Sequence, residues 1–414
     1  MRHRGRIVVE ATPIGRSDKD LGKASSFQRK KQFHSTLHRF LASVCSFVLF
    51  IIVISIPNAE EEEQTTIMST RGGLNNDANG PPSFVTVVLP SVVNPEKRPL
   101  RLESISKTWG PASHAVYVVH NTNEYAKGSK IEAEQSSDTT FPQVCLVPDT
   151  IKVADGVPRL EYVIRAIHNT IDPDFAFFVN DHTFVLPYHL HKFLKQLDSS
   201  KDLYVGHALK GGKETAFNSG ASGYVLSRMT MSRLIKEWDK PDSKCAGANV
   251  SKWLQGNPGL LTAKCFQEVL GIQLIDTRDK DEGSHKFHAY GLVRTITGNV
   301  DQWYLDKHQH LDGIFGEDEQ YHHMPQKGDL CCSKDTISFH YVEAAENIVF
   351  WQILQKVQQQ SDRISDEQIK VTMIKDWPQR PDIGAYAHPL PARKSPVWND
   401  MIKVIRKISS GVQS

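Results

Sequence analysis

The chain has 414 residues, of which 39% are hydrophobic and 23% are charged, and its formal net charge is +2. This composition is that of a globular protein, and the length holds one large domain or two ordinary domains with tails. The small net charge argues against a general binder of nucleic acid or other polyanions.

The N-terminal part predicts a membrane anchor. Residues 1–39 are rich in Arg, Lys and His and predict a flexible basic tail on the cytosolic side. Residues 40–56 carry no charge, and as a helix they would be roughly 25 Å long, the short end for a membrane span. A buried core helix and a cleaved signal peptide are the alternatives, but the long basic lead and the following Pro57 favour a type II signal anchor. The polar residues 57–82 predict a stem linker, which places the rest in the lumen.

The lumenal part, residues 83–360, alternates β-rich and helix-forming segments, and residues 361–414 predict a small helical appendage. This alternation predicts an α/β sheet with helices on both faces, whose ligands sit beyond the carboxyl ends of the strands. Asn180, Asp181 and His182 stand at such an end. The predicted strands are Phe84–Pro90, His114–His120, Phe175–Val179, Asp202–Leu209 and the start of Gly223–Trp238. The predicted helices are Arg101–Gly110, Arg159–Ile171 and the remainder of Gly223–Trp238.

Six cysteines are present, one of them (Cys45) in the anchor. An oxidising lumen permits disulfides, and Cys245 and Cys265 flank the same segment and are candidates for a pair. Five cysteines lie in the predicted lumenal part, so one thiol is left over, and spacing alone does not fix the disulfide connectivity. Asn249 begins an Asn-Val-Ser sequon and predicts a glycosylated lumenal surface.

Five stretches, in their order and spacing, resemble glycosyltransferase family 31, above all its core 1 beta-1,3-galactosyltransferase and fringe-like branch. They are SISKTWG (Ser104–Gly110), FFVNDHTFV (Phe177–Val185), FNSGASGYVLSR (Phe217–Arg228), DTRD with HKFHAY (Asp276–Asp279, His285–Tyr290) and CCSKDTISFHYVEA (Cys331–Ala344). The resemblance implies a GT-A fold with a mixed, mostly parallel sheet, a UDP-sugar donor and a glycan or glycoprotein acceptor. It also implies a disulfide between the adjacent Cys331 and Cys332, with Cys145 left as the free thiol.

The resemblance further implies a divalent cation, usually Mn²⁺. Members of the family end this strand in three carboxylates, and a histidine of the SFHYV strand completes the site. Here Asn180, Asp181 and His182 stand at the triplet and His340 at the histidine. Mn²⁺ favours carboxylate oxygens, whereas imidazole shifts preference toward Zn²⁺, Cu²⁺ or Ni²⁺. The predicted ligands are Asp181, His182 and His340, and the alternative is that His182 only makes a hydrogen bond.

The family's acidic pair, which supplies the general base of an inverting transfer, falls here on Pro258 and Gly259. Neither residue accepts a proton. Asp276, Asp279 and His288 are the remaining candidates for the base, and loop capping or surface charge is the alternative for each.

Donor and acceptor contacts follow from the same resemblance. The loop Ser219–Tyr224 contains small residues, which let the backbone approach a sugar. A packing turn is the alternative for this small-residue loop. The predicted donor-binding residues are Asn180, Asp181, Asn218, Ser219, Gly220, Gly223 and Tyr224. Trp303 and Tyr304 lie where the family presents aromatic rings to the acceptor, with core packing as the alternative.

Two hypotheses follow. The first is a single-pass type II hexosyltransferase of the Golgi or endoplasmic reticulum membrane, which moves galactose or N-acetylglucosamine from a UDP-sugar to a glycan hydroxyl. The second is a catalytically inactive transferase-like protein that acts as a binding module or chaperone for an active transferase. The loss of carboxylates at both the metal and the base motif favours the second, and the retained Asp181, His340 and small-residue loop favour the first. Assembly with itself or with another transferase stays open.

Overall fold

The structure, a computed structural model, describes residues 83–92, 94–123, 142–211, 215–246, 258–308, 311, 324–360, 363–378 and 389–411. The predicted tail, anchor and stem lie outside these ranges, and so does Asn249. Within the ranges described, no helix combines the length and apolar character that crossing a membrane requires.

The described chain alternates strands and helices. The strands are β1 (Phe84–Leu89), β2 (Val116–Asn121), β3 (Gln143–Val147), β4 (Phe175–Asn180), β5 (Phe184–Val185), β6 (Tyr204–Gly206), β7 (Ala208–Lys210), β8 (Ala216–Asn218), β9 (Tyr224–Ser227), β10 (Leu274–Ile275), β11 (Phe287–His288) and β12 (Ser338–Phe339). The helices are α1 (Arg98–Lys107), α2 (Gly156–Thr170), α3 (Pro187–Leu194), α4 (Arg228–Trp238), α5 (Pro258–Lys264), α6 (Leu292–Thr297), α7 (Gln302–His308), α8 (Ala344–Gln359), α9 (Asp366–Asp376) and α10 (Val397–Gly411).

A seven-stranded sheet in the order β10-β6-β9-β4-β1-β2-β3 forms the centre of the fold. Strands β1, β2, β3 and β4 are mutually parallel, and β9 runs antiparallel to β4 and β6. The register pairs Leu89 with Asn180, so the carboxyl ends of β1 and β4 lie side by side. The predicted mixed, mostly parallel α/β sheet is confirmed.

Both faces of this sheet are buried. Phe177 of β4 belongs to one hydrophobic cluster and its neighbour Phe178 to another, and Val88 and Val87 of β1 divide in the same way. Helices α1, α8, α9 and α10 contribute to the first cluster, and α2 and α4 to the second. Strands covered on both faces have nearly continuous apolar sequences, which accounts for the run Phe175–Val179.

A second, three-stranded sheet brings distant segments to the end of β4. Strand β12 pairs antiparallel with β5 and parallel with β11. Because β5 begins shortly after β4 ends, this pairing places the residues after β12 beside those between β4 and β5. The segment Asp202–Leu209, predicted as one strand, is instead two strands that separate at His207, since β6 joins the central sheet and β7 pairs with β8.

The described C-terminal residues form helices α9 and α10, and α10 packs into the core. Met401, Ile405 and Ile408 of α10 are fully buried in the same hydrophobic cluster as Phe350 of α8. The apolar face of α10 therefore completes the core on one side of the sheet.

The described cysteines form two disulfides, Cys245–Cys265 and Cys331–Cys332, and Cys145 is a buried free thiol. These are the pairs considered from the sequence. The first ties the residues after α4 to the end of α5 across a segment that the structure does not describe.

Candidate functional site

The end of β4 is held by backbone hydrogen bonds from two sides. The Asp181 N–H donates to the Leu89 carbonyl at 3.2 Å, and the Val342 N–H donates to the His182 carbonyl at 3.0 Å. The first bond fixes the strand end against β1. The second fixes it against the segment that follows β12, and so positions His340.

His182 and His340 lie in contact, with ring centroids 4.4 Å apart and ring planes at 71°. Both are buried, and His340 Nδ1 lies 3.4 Å from Thr183 Oγ1. Burial, with a smaller contribution from Arg101, lowers the pKa of His182 to about 3. Burial also lowers the pKa of His340 well below its usual value, with His182 contributing. Both rings are therefore neutral at pH 7, and His182 Nδ1 is buried with no hydrogen-bond partner among the residues that the structure describes.

Asp181 is engaged by a cation that the sequence did not reveal. Its Oδ1 lies 3.5 Å from Arg101 Nη1, and its Oδ2 accepts a hydrogen bond from the Ser91 N–H at 3.3 Å. Burial raises the pKa of Asp181, and Arg101 opposes this. The Arg101 side chain, 1% exposed, also binds Glu343 through two hydrogen bonds, Nε–Oε2 at 3.1 Å and Nη2–Oε1 at 2.9 Å.

These residues do not fit Mn²⁺ as a ligand set. The single carboxylate among them faces a guanidinium, and the other two candidates are neutral imidazoles, whereas Mn²⁺ prefers several oxygen ligands. In the part of the chain that the structure describes, no group of three or more His, Cys, Asp or Glu side chains is arranged to hold a metal ion. The structure therefore brings His182 and His340 together but gives Asp181 a different partner.

The small-residue loop contacts Thr183, which lies between β4 and β5, and Ser338 of β12. Thr183 Oγ1 donates to the Ala221 carbonyl at 3.1 Å, and the Ser338 hydroxyl donates to the Ser222 carbonyl. The Ser219 N–H donates to the His207 carbonyl at 2.8 Å. Residues 219–223 are thereby placed beside the end of β4, where the sequence predicted a donor-sugar contact.

Three of the predicted donor residues have packing roles. Gly223 has φ +85°, and a Cβ there would lie 2.6 Å from the Phe177 ring, so this glycine permits close packing on β4. The side-chain amide of Asn218 donates to the Tyr204 carbonyl at 3.0 Å. Tyr224 stacks on Phe178 with centroids 5.4 Å apart, and burial raises its pKa. The packing alternative describes these three residues, whereas a Cβ on Gly220 would meet only Tyr224, at 3.9 Å.

The candidate bases are each held by local contacts. Asp276 Oδ2 accepts a hydrogen bond from Arg278 Nη2 at 2.6 Å. Burial raises the pKa of Asp279, but contacts with Lys286, Ser333 and Ser284 bring it below its usual value. His288 stacks on Phe339 at 4.5 Å, and burial lowers its pKa to about 3. The contacts of Asp276 and Asp279 are therefore those expected of residues that cap a loop.

The two aromatic residues predicted to meet an acceptor differ in exposure. Trp303 is 50% exposed and presents its ring to solvent, whereas Tyr304 is 4% exposed. The Tyr304 hydroxyl lies 2.9 Å from His207 Nε2, and its ring packs on Tyr290 at 5.0 Å. Trp303 is thus available to a ligand, and Tyr304 belongs to the core.

The curated relatives of this chain include two glycosyltransferases. The chain is 23% identical over 247 residues to glycoprotein-N-acetylgalactosamine 3-beta-galactosyltransferase 1 of Xenopus laevis, which covers 56% of this chain and 60% of the relative. It is 26% identical over 166 residues to chondroitin sulfate glucuronyltransferase of Homo sapiens, which covers 37% of this chain and 22% of the relative. The chain is a distant relative of glycosyltransferases.

No family profile matches the chain. The chain spans less than two thirds of the length of either relative. The α/β sheet with a mostly parallel centre is compatible with the GT-A fold that the sequence motifs imply.

Proposed function

We propose that this protein is a type II membrane hexosyltransferase of the Golgi that transfers galactose from a UDP-sugar to a glycan hydroxyl with inversion. The observation that supports it is the meeting of three segments at the carboxyl edge of parallel strands β1 and β4. These are the end of β4, the loop 219–223 and the residues after β12. In open α/β sheets this edge is where ligands bind, and the chain is distantly related to a beta-galactosyltransferase.

The residues of the site suit this reaction in different ways. Gly220 leaves room for a sugar to approach the backbone of the loop. The exposed ring of Trp303 offers a flat face to the apolar side of an acceptor pyranose. The transfer also needs a group that removes the acceptor proton, and Asp276, Asp279 and His288 remain the candidates.

The direct test is sugar transfer by the purified full-length chain. UDP-galactose and UDP-N-acetylglucosamine are offered in turn with a glycopeptide that carries N-acetylgalactosamine, and the product mass is measured. We expect addition of one hexose from UDP-galactose. Trp303→Ala should raise the acceptor KM by about tenfold with a smaller effect on kcat. Tyr188→Ala, which removes another exposed aromatic ring, serves as the control and should change neither.

A second function, that of an inactive chaperone for an active transferase, is favoured by one specific observation. Helix α5 begins at Pro258 and Gly259, where related enzymes carry the acidic pair. Chaperone function predicts no transfer from any UDP-sugar, stable association with an active transferase, and loss of that transferase's activity when this protein is removed. Transfer by the purified chain alone would exclude this function.

A further inference from the structure

A small cavity lies at the same edge of the sheet as the end of β4, beyond the loop 219–223. Strand β10 runs parallel to β6, and β9 runs antiparallel to both β6 and β4. The carboxyl ends of β10, β6 and β4 therefore lie at one edge. Gly206 ends β6 and Asp276 follows β10, and both line the cavity. Ligands of open α/β sheets bind at this edge.

The cavity is a neighbour of the two features to which we assign sugar contacts. The Ser219 N–H donates to the His207 carbonyl at 2.8 Å, and the residues on either side of His207 line the cavity. This bond ties the loop 219–223 to the cavity wall. His308 of α7 also lines the cavity, and the same helix carries the exposed ring of Trp303.

One of the histidines around the cavity has a nitrogen atom that its neighbours leave unused. His207 Nδ1 donates to the Phe287 carbonyl at 2.8 Å, and its Nε2 lies 2.9 Å from the Tyr304 hydroxyl and 3.1 Å from His308 Nε2. Both nitrogens of His207 are therefore engaged. His285, which lines the cavity, is only 9% exposed, and its Nε2 has no hydrogen-bond partner among the residues that the structure describes. A buried polar atom of this kind calls for a partner.

The groups that line the cavity fit a hydroxyl group. Burial lowers the pKa of His285 well below its usual value, so its ring is neutral at pH 7. The Asp276 carboxylate is oriented by Arg278, through Nε–Oδ1 at 3.0 Å and Nη2–Oδ2 at 2.6 Å, and each carboxylate oxygen can accept a further hydrogen bond. The cavity has room for a group of about the size of one water molecule. A hydroxyl has this size and both donates and accepts.

We propose that this cavity binds one hydroxyl group of the acceptor sugar, with His285 Nε2 and the Asp276 carboxylate as its hydrogen-bond partners. The inference rests on the proposed function, because it names a contact of the sugar that the transferase would hold. The acceptor is favoured over the donor because α7, which presents Trp303, also lines the cavity. The contact orients the sugar, and it gives Asp276 a role in binding.

The test is the affinity of the purified full-length chain for a glycopeptide that carries N-acetylgalactosamine, measured by titration calorimetry. His285→Phe keeps a buried ring but removes its nitrogen atoms, and it should weaken binding by about tenfold. His285→Gln, which places an amide near the position of Nε2, should restore part of the affinity. Asp276→Asn, at a side chain that is 22% exposed, should weaken binding several-fold without a change inside the core.

Deoxy sugars show whether these changes act through one hydroxyl. Glycopeptides that lack the hydroxyl at C3, C4 or C6 of the sugar are titrated in turn. The analogue that lacks the bound hydroxyl should bind the parent protein about tenfold more weakly, and His285→Phe should weaken its binding no further. The other analogues should still lose about tenfold with His285→Phe.

His189→Phe is the matched control. His189 is also buried and its Nε2 likewise has no hydrogen-bond partner among the described residues, but it lies on α3 and does not line the cavity. This change should leave the affinity for the glycopeptide unchanged. A thermal unfolding curve for each variant shows whether it is folded.

The outcomes separate this inference from the proposed function. Binding that neither His285→Phe nor Asp276→Asn weakens would overturn the inference and leave the proposed function standing. An equal loss with every deoxy analogue would also overturn it, since the change would then act through the fold. The same effects on UDP-galactose, and not on the glycopeptide, would place a donor hydroxyl in the cavity and overturn the assignment to the acceptor.

Two further results concern the reaction itself. Glycopeptide binding with the expected losses but without sugar transfer would support the inference and overturn the proposed function. No binding of the glycopeptide by the folded protein would overturn both.

Discussion

At the scale of single residues, Arg101 is an example of a site residue that the sequence did not predict. The triplet Asn180, Asp181 and His182 was predicted to stand at a strand end, and it does. The ion pair between Asp181 and Arg101 was not predicted, because Asp181 follows β4 whereas Arg101 lies in α1. Arg101 also binds Glu343, which is 242 positions further along the chain. No local pattern relates such residues. Buried ion pairs of this kind depend on the tertiary packing of three separate elements.

The glycines of the loop 219–223 illustrate the same limit, since the sequence shows small residues but not what each one contacts. Gly223 has a positive φ and faces Phe177 and Val179, whereas a Cβ on Gly220 would make an ordinary contact with Tyr224 at 3.9 Å. Gly223→Ala should therefore destabilise the protein by about 2–4 kcal/mol, through backbone strain and overlap with the Phe177 ring. Urea unfolding measures this free energy.

Gly220→Ala is the control for that experiment. A Cβ at this position would come no closer than 3.9 Å to another side chain, an ordinary contact. Its free energy of unfolding should stay within about 0.5 kcal/mol of the parent value. Equal destabilisation by the two changes would contradict the packing role assigned to Gly223.

At the scale of elements, continuous apolar runs were predicted correctly and interrupted ones were not. Strand β4 coincides with its prediction apart from one residue, because a strand buried on both faces has an apolar sequence throughout. The segment Asp202–Leu209 is an apolar run interrupted by His207, and there it divides into two strands. The buried ring of His207 lies 2.8 Å from the Phe287 carbonyl and 2.9 Å from the Tyr304 hydroxyl. These contacts come from distant residues, which periodicity does not detect.

Helix α10 lies in the segment predicted as helical, and the structure adds that its apolar face completes the core. Ile405 is fully buried there. Ile405→Ala should lower the free energy of unfolding by about 2–5 kcal/mol, because it leaves a cavity among packed side chains. The change should shift the midpoint of urea unfolding without changing the slope.

Lys403, two residues earlier on the same helix, is the matched control. Its side chain is 63% exposed and pairs with Asp329 at 2.9 Å. Surface pairs contribute little, so Lys403→Ala should leave the midpoint of urea unfolding close to that of the parent protein. If Ile405→Ala were as mild as Lys403→Ala, the C-terminal helix would not be part of the core.

At the scale of the whole molecule, composition predicted a globular protein but not the electrostatic state of its interior. The sequence contains 18 histidines, and nothing in their spacing indicates which are buried. His207, His285 and His288 form a buried histidine cluster, in which the rings of His207 and His285 lie 4.7 Å apart. Burial lowers the pKa of His207 and of His288, to about 4 and about 3, and lowers that of His285 well below its usual value.

This buried histidine cluster predicts that the protein loses stability in acid. The unfolded chain takes up protons on these histidines below about pH 6.5, whereas the folded chain takes them up only at lower pH, near pH 4 on His207 and near pH 3 on His288. Their contribution to stability is therefore complete above pH 6.5 and decreases as the pH falls. Glu346 acts in the opposite direction, because burial raises its pKa to about 7 and its protonation favours the folded state as the pH falls through that value.

The histidines of the cluster, together with His182 and His340, outnumber Glu346, so the free energy of unfolding should be lower at pH 5.5 than at pH 7, by about 2 kcal/mol or more. Urea unfolding at a series of pH values measures the difference. Glu346→Gln removes the opposing carboxyl, so it should raise stability at pH 8 and make the loss on acidification steeper. A free energy of unfolding that stays constant or rises between pH 6.5 and pH 5 in both proteins would mean that the cluster is not neutral in the folded chain.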